Sequence, residues 1–211
     1  MIKKILVAVG EGKNRDIPVK YADELASRLE AKIYAIHVVK KNIGLAMKPV
    51  EWELEMEIQD EMREIKKGLE KLCPKNLSGI NFKTVVHQTP AQAILEEARK
   101  GDYDLIIVGN KDYSKVHQIL LGSTASRVAH HSRRPVLVVK DFRKLNHMLV
   151  GVDGSVTAAK TSFFAGTMAN RLGLKITLIH VDDGHYSKEQ IATIVEREKK
   201  ILSLIHISEP T

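Results

Sequence analysis

Short apolar runs alternate with stretches of helical periodicity along most of the chain, and few folds accommodate that alternation. Lys4–Val9 is, after its lysine, a continuous apolar run, as a strand covered on both faces requires. Val19, Ala22, Leu25, Ala26 and Leu29 then recur at helical spacing, with Asn14 or Asp16 available as a cap and Pro18 tolerated in the first turn. Lys32–Val39 reads as a second strand, followed by a loop-like stretch to Pro49. Glu51–Leu72 reads as a long charged helix with Leu54, Ile58, Met62, Ile65 and Leu69 on one face. Asn81–Val86, Leu105–Val108 and Pro135–Val139 are further strands, separated by helices over Pro90–Ala98 and Gly122–His130. Strictly alternating strands and helices predict an α/β fold, a doubly wound parallel sheet with helices on both faces. Ligands of such sheets sit beyond the carboxyl ends of the strands, where the strand order reverses. The loops after Val9, Val38 and Val108 are therefore the place to look for a site.

The pattern then restarts. An ungapped offset of 143 residues aligns Leu6, Val7 and Val9 with Leu149, Val150 and Val152, and Ala22 and Ala26 with Ala165 and Ala169. The same offset pairs Arg28-Leu29 with Arg171-Leu172, Lys32-Ile33 with Lys175-Ile176, and Ile36-His37-Val38 with Ile179-His180-Val181. Apolar matches alone would follow from any shared βαβ pattern. The Arg, Lys and His identities go further and indicate a tandem repeat. The second copy holds a strand, a helix, a strand and the start of another helix, and the counterpart of Gly109 would fall beyond Thr211.

His37-Val38, Gly109, Gly122-Ser123 and the closing strand Pro135-Val136-Leu137-Val138-Val139 stand at spacings that resemble the universal stress protein family in its tandem form. The first copy covers residues 1–141, and residues 146–201 resemble the N-terminal part of a second such domain. The resemblance implies a five-stranded sheet in the order 3-2-1-4-5, of the adenine-nucleotide alpha-hydrolase-like kind, plus a partial second copy. Nucleotide-binding members of the family hold ATP between these loops. By that resemblance Gly10 and Val38 would lie on the adenine side. Val108, Gly109, Asp112, Gly122, Ser123 and Thr124 would line the ribose and phosphates. Two positions depart from the family pattern. Asp112 stands where the family has a glycine, and Gly10 stands where it has an acid, although the second copy keeps Val152-Asp153-Gly154-Ser155.

The chemistry of such a loop is intelligible. Glycines admit backbone N–H groups to phosphate oxygens, and a helix starting at Gly122–Thr124 turns free N–H groups and its positive end toward an anion. Lys111 and Lys115 could add charge. A purely structural reading is equally open, with Ser123 as an N-cap and Gly109 as a tight strand exit. Asp112 favours that second reading, because two like charges about 4 Å apart repel by about 1 kcal/mol in water.

Composition narrows the alternatives. The net charge is +7, but the basic residues are dispersed and aromatics are only 5%, which argues against nucleic-acid binding. No apolar run approaches the roughly 18 residues of a membrane span. The opening MIKKILVAVG lacks a small-residue cleavage site and reads as a strand, not a leader. The single Cys73 cannot form an internal disulfide, so a cytoplasmic protein is expected. Phosphate-binding Walker loops, nucleophile elbows and ordered carboxylate clusters are all missing from the sequence, so no enzyme is expected, slow ATP hydrolysis aside. His130 and His131 are adjacent, so they face different sides of a helix, and Asp182-Asp183 could bind a cation only weakly. His37 and His180 read as hydrogen-bonded structural residues, and Met47, Met56 and Met62 as core or interface residues.

Two functions remain open: a stress-response module that binds ATP, and a nucleotide-free module that pairs through its β5 edge. The partner would be a second copy in a homodimer, or the second domain of the same chain. Finally, Leu202–Thr211 reads LSLIHISEPT. The string CTG TCT CTT ATA CAC ATC TCC GAG CCC ACG, a transposase sequencing adapter, translates to it in frame. Those residues are expected to be foreign to the natural protein and to interrupt a helix over Lys188–Ile201, and the second domain is expected to continue.

Overall fold

A computed structural model describes residues 2–10, 15–40, 51–72, 80–110, 122–182 and 184–206. The chain divides into two compact units, Met1–Phe142 and Arg143–Thr211.

The first unit contains β1 (Lys4–Val9), α1 (Asp16–Leu29), β2 (Lys32–Lys40), α2 (Glu51–Leu72), β3 (Ile80–His87), α3 (Pro90–Lys100), β4 (Leu105–Gly109), α4 (Ser123–His131) and β5 (Val136–Val139). Its five strands form one sheet in the order β3-β2-β1-β4-β5, and every pairing is parallel. The order reverses between β1 and β4, which opens a crevice at their carboxyl ends. Continuous apolar sequence makes β1 and β4 the centre of the sheet, where Ile5, Leu6, Val7, Ile106 and Ile107 are essentially inaccessible. On one face Leu6, Ile36 and Ile106 pack against Ala91, Ile94 and Ala98 of α3 and Ala125 and Val128 of α4. Helix α1 buries Val19, Ala22, Leu25, Ala26 and Leu29, the stripe that its periodicity predicts. In α2, Ile65 is buried and Ile58 and Met62 are half-buried, while the side chains of Leu54 and Leu69 lie outside the described residues.

Some local expectations need correction. Asp16 does not cap α1. The cap position is Arg15, without a side-chain hydrogen bond, and Asp16 is the first helical residue, 2.6 Å from the Lys20 ammonium one turn on. A carboxylate there gains from the helix dipole as well as from that pair. Asn14 lies outside the described residues.

The second unit contains β6 (His147–Gly151), α5 (Val156–Leu172), β7 (Lys175–Ile179) and α6 (Lys188–His206). Its two strands pair in parallel in the register that the repeat predicts, with Gly151 opposite Ile179. Ser155 caps α5 by accepting the Ala158 N–H at 3.0 Å, and Gly173 closes the helix in the left-handed region at φ 56°. One face of this small sheet is covered, with Val150 and Val152 packed against Ala158 and Ala165. The other exposes Leu149 and Ile179, at 65% and 43%. Helix α6 was expected to stop at Ile201 but runs to His206. Leu202, Leu204 and Ile205 are compatible with a helix, so nothing local ends it.

Candidate functional site

The carboxyl ends of β1 and β2 are tied together by a histidine. His37 is 1% exposed, and its Nδ1–H donates to the Val9 carbonyl at 2.8 Å. A carbonyl can only accept, so the proton sits on Nδ1 and the ring is committed to bracing two strand ends. The second copy repeats the device, with His180 Nδ1–H donating to the Val152 carbonyl at 2.8 Å. Beyond Val9, a Cβ on the exposed Gly10 would meet no atom of the described residues within 4 Å. Val38 is half-buried on β2 and pairs with Val85.

On the other side of the crevice, Val108 is buried and pairs with Val138, and Gly109 ends β4 opposite Val139. A Cβ on Gly109 would lie 3.0 Å from Pro18 Cγ, so this glycine lets the first turn of α1 approach the strand exit. Asn110 follows. Its N–H donates to the Val139 carbonyl and its Oδ1 accepts the Gly122 N–H, both at 2.7 Å. One side chain thus closes the base of the loop and fixes the start of α4 against the end of β4. Asp112, with Lys111 and Lys115, lies outside the described residues.

Gly122, not Ser123, is the N-cap of α4. Ser123 is the first helical residue and Thr124 the second, so their N–H groups belong to the first turn, where no carbonyl within the helix can reach them. The positive end of the helix dipole adds to this, and the combination suits an anion. The structure therefore brings Gly109, Gly122, Ser123 and Thr124 together and places Gly10 and Val38 at adjacent strand ends. Sequence reasoning missed Asn110 and Pro18. An Asn directly after a strand-terminal Gly was the available signal for Asn110. Nothing local announces Pro18, whose role is tertiary.

In the second unit, Asp153 Oδ1 accepts the Ser155 N–H at 2.9 Å, and hydrogen bonding from Ser155 holds its carboxyl below the usual range. Arg197 of α6 donates to the Gly154 carbonyl at 2.9 Å, and a Cβ on Gly154 would come within 2.8 Å of Ile194 Cδ1. The acid, the glycine and α6 thus form one packed turn. The remaining candidates are ordinary. His130 and His131 are exposed at the end of α4, Asp182 caps its own turn by accepting the Gly184 N–H at 2.9 Å, and Asp183 lies outside the described residues. Among the described residues no three metal-ligating side chains converge, and no helix is long and apolar enough to cross a membrane. Met62 is half-buried, Met56 is exposed, and Met47 lies outside the described residues.

A five-stranded parallel sheet in the order 3-2-1-4-5, with helices on both faces and with Gly109 and the N-terminus of α4 at its switch point, defines a doubly wound α/β domain. Within that class the chain belongs to the universal stress protein family, whose profile matches residues 1–140. It is 34% identical over 150 residues to universal stress protein MJ0531 of Methanocaldococcus jannaschii, covering 68% of this chain and 85% of that protein. It is 26% identical over 189 residues to a universal stress protein of Mycolicibacterium smegmatis, covering 84% of this chain but only 63% of that longer protein. The solved structure of MJ0577, also from M. jannaschii, superposes with a TM-score of 0.55 at 26% identity, covering 68% of this chain and 99% of that one.

Proposed function

We propose that residues 1–141 form an adenine-nucleotide-binding module of a stress-response protein, with ATP as the ligand and with Asp112 keeping the affinity low. The observation that carries this reading is the Asn110–Gly122 hydrogen bond. It fixes the first turn of α4 beside the exit of β4, so the N–H groups of Ser123 and Thr124 start from a rigid base. In this reading Gly10 and Val38 contact the base, and Val108, Gly109 and the first turn of α4 contact ribose and phosphates. The backbone donors fit phosphate oxygens. The module binds and does not catalyse. Titration calorimetry with ATP tests it: weak binding by the native chain, strengthened a few-fold by Asp112→Gly, is the expected result. Tight native binding that Asp112→Gly weakens would instead make Asp112 a ligand, through a divalent cation.

A second reading, pairing through β5, is favoured by a different observation. Among the described residues β5 pairs only with β4, and Val136, Leu137 and Val138 are half-buried along this edge. An unprotected edge strand is a template for another chain. The occupant is a second copy or the second domain. Residues 146–201 are, in the same proposal, the N-terminal part of a second domain of this family. Mass spectrometry of small molecules released from gently purified protein separates the two readings.

A further inference from the structure

The last turns of α3 and α4 gather positive charge at the end of the sheet opposite the crevice. Parallel strands oblige each connecting helix to run back against them, so helices that start at the carboxyl ends of the strands finish at the amino ends. An open cavity of about 790 Å³ between α3 and α4 reaches that end. There it is lined by Arg99 from the last turn of α3, by Arg127 and His131 one turn apart on α4, and by Arg133 and Arg134 from the turn that follows. No carboxylate lines it among the described residues. The nearby acids are engaged elsewhere: Glu96 accepts the Gln92 amide at 3.1 Å, and Glu97 is held by Lys83 and Tyr103. Arg134 is engaged by Asp102, but no ion pair holds Arg99, Arg127 or Arg133 among the described residues. Helix ends account for part of this gathering. Each carboxyl terminus carries about half a negative charge, so the two together offset about one guanidinium, and Asp102 offsets a second. Two of the four guanidiniums are left without compensation. The turn that carries Arg133 is also fixed, because Ser132 Oγ accepts the Arg134 N–H at 3.0 Å and donates to the Arg134 carbonyl at 2.8 Å.

We propose that this end of the cavity binds the phosphate monoester dianion of a small phosphorylated molecule. The dianion brings the two negative charges that the helix ends and Asp102 do not supply. Guanidinium forks match pairs of phosphate oxygens, and donors from two helices and a pinned turn reach a tetrahedral group from several sides. The cavity volume falls in the range of about 300–1,000 Å³ that holds small ligands. A nucleic acid strand fits less well, because no aromatic side chain lines the cavity to stack a base. The site lies at the opposite end of the helices from the crevice, so it stands whether or not the crevice takes a nucleotide.

The test uses the full chain, glycerol 3-phosphate as the probe, and NMR of the arginine Nε–Hε groups, with the backbone amides of Ser123 and Thr124 reporting separately on the crevice. Saturable shifts at Arg99, Arg127 and Arg133 are expected. Arg99→Gln with Arg127→Gln should weaken the binding about tenfold without changing the melting temperature, because these exposed side chains hold no ion pair of their own. Dimethyl phosphate, with the same tetrahedral group but one charge, should bind about tenfold more weakly. Absence of saturable arginine shifts would overturn the proposal, as would shifts confined to Ser123 and Thr124. So would equal affinity for dimethyl phosphate or insensitivity to the double substitution, either of which would mark a general basic surface. Recruitment to phosphatidic acid vesicles without a response to the soluble ester would place the dianion on a lipid headgroup and overturn the small-molecule assignment.

Discussion

The two copies allow one substitution to be made twice in chemically matched places. Leu6 and Leu149 occupy the same repeat position, yet Leu6 is 1% exposed and Leu149 is 65% exposed. Leu6 packs with Ile36, Ile94, Tyr103 and Ile106, so Leu6→Ala removes a fully enclosed side chain and leaves a cavity between sheet and helices. Such a change costs about 2–5 kcal/mol. For Leu149→Ala only about a third of a side-chain burial worth roughly 2 kcal/mol is at stake, or about 0.5–1 kcal/mol. Far-UV circular dichroism in urea follows the helices of both units, while amide exchange at β1 follows the first unit alone. With a slope of about 2 kcal/mol per molar, Leu6→Ala should lower the first unit's midpoint by about 1–2.5 M, and Leu149→Ala should leave it in place. A loss for Leu149→Ala comparable to that for Leu6→Ala would refute the reasoning, because the outer face of β6–β7 would then have to be covered.

Gly109→Ala places a methyl 3.0 Å from Pro18 Cγ, whose ring is locked into α1. The crowding should cost about 1–3 kcal/mol, more than the roughly 0.4–1 kcal/mol gained by stiffening the unfolded chain, and Pro18→Ala should restore stability in a double-mutant cycle. Glu97 is a test by pH. Burial pushes its carboxyl up, but hydrogen bonds from Lys83 at 2.6 Å and Tyr103 at 3.0 Å outweigh that and hold it below the usual range. Its stabilisation is therefore present above the ordinary glutamate value and is lost as pH falls through the lowered folded value. Lys83→Met should cost about 0.2–1 kcal/mol near neutrality, Lys83 being largely exposed, and the difference should vanish in urea titrations at low pH.

The strand interiors were legible because buried parallel strands must be apolar, and Ile5–Val9 of β1 and Leu105–Val108 of β4 are. Their ends were less so. β3 extends to Ile80 and His87 because β2 offers Ile33 and Lys40 as register partners, a property of the neighbour and not of the strand's own sequence. At the site, spacing alone found Gly109 and Gly122, but not the reason for either. Gly109 answers to Pro18, more than ninety residues earlier in the chain, and Gly122 answers to Asn110. Ser123 was open to reading as a cap because Ser is a favoured capping residue. The cap proved to be the glycine before it, which moves Ser123 into the helix and directs its N–H outward rather than spending its hydroxyl on the helix.

The repeat identities divide by how much of a domain each one needs. His37 and His180 each reach a carbonyl 28 residues earlier, on the adjoining strand, so a single βαβ unit satisfies them and both copies make the same bond at 2.8 Å. Leu6 with Ile36, and Leu149 with Ile179, are equally conserved between the copies but are satisfied differently. The first pair is 1% exposed because α3 and α4 lie over it, and those helices come only after a third strand. The second pair lies bare on β6 and β7. A Leu and an Ile exposed on one sheet face cost solubility and gain nothing in a free-standing βαβ unit. The same two residue types at the same two positions as a fully covered pair make sense as a surface shaped for helices like α3 and α4. The proposal that residues 146–201 begin a second domain therefore rests on which side of β6–β7 is apolar, independently of sequence identity to any relative.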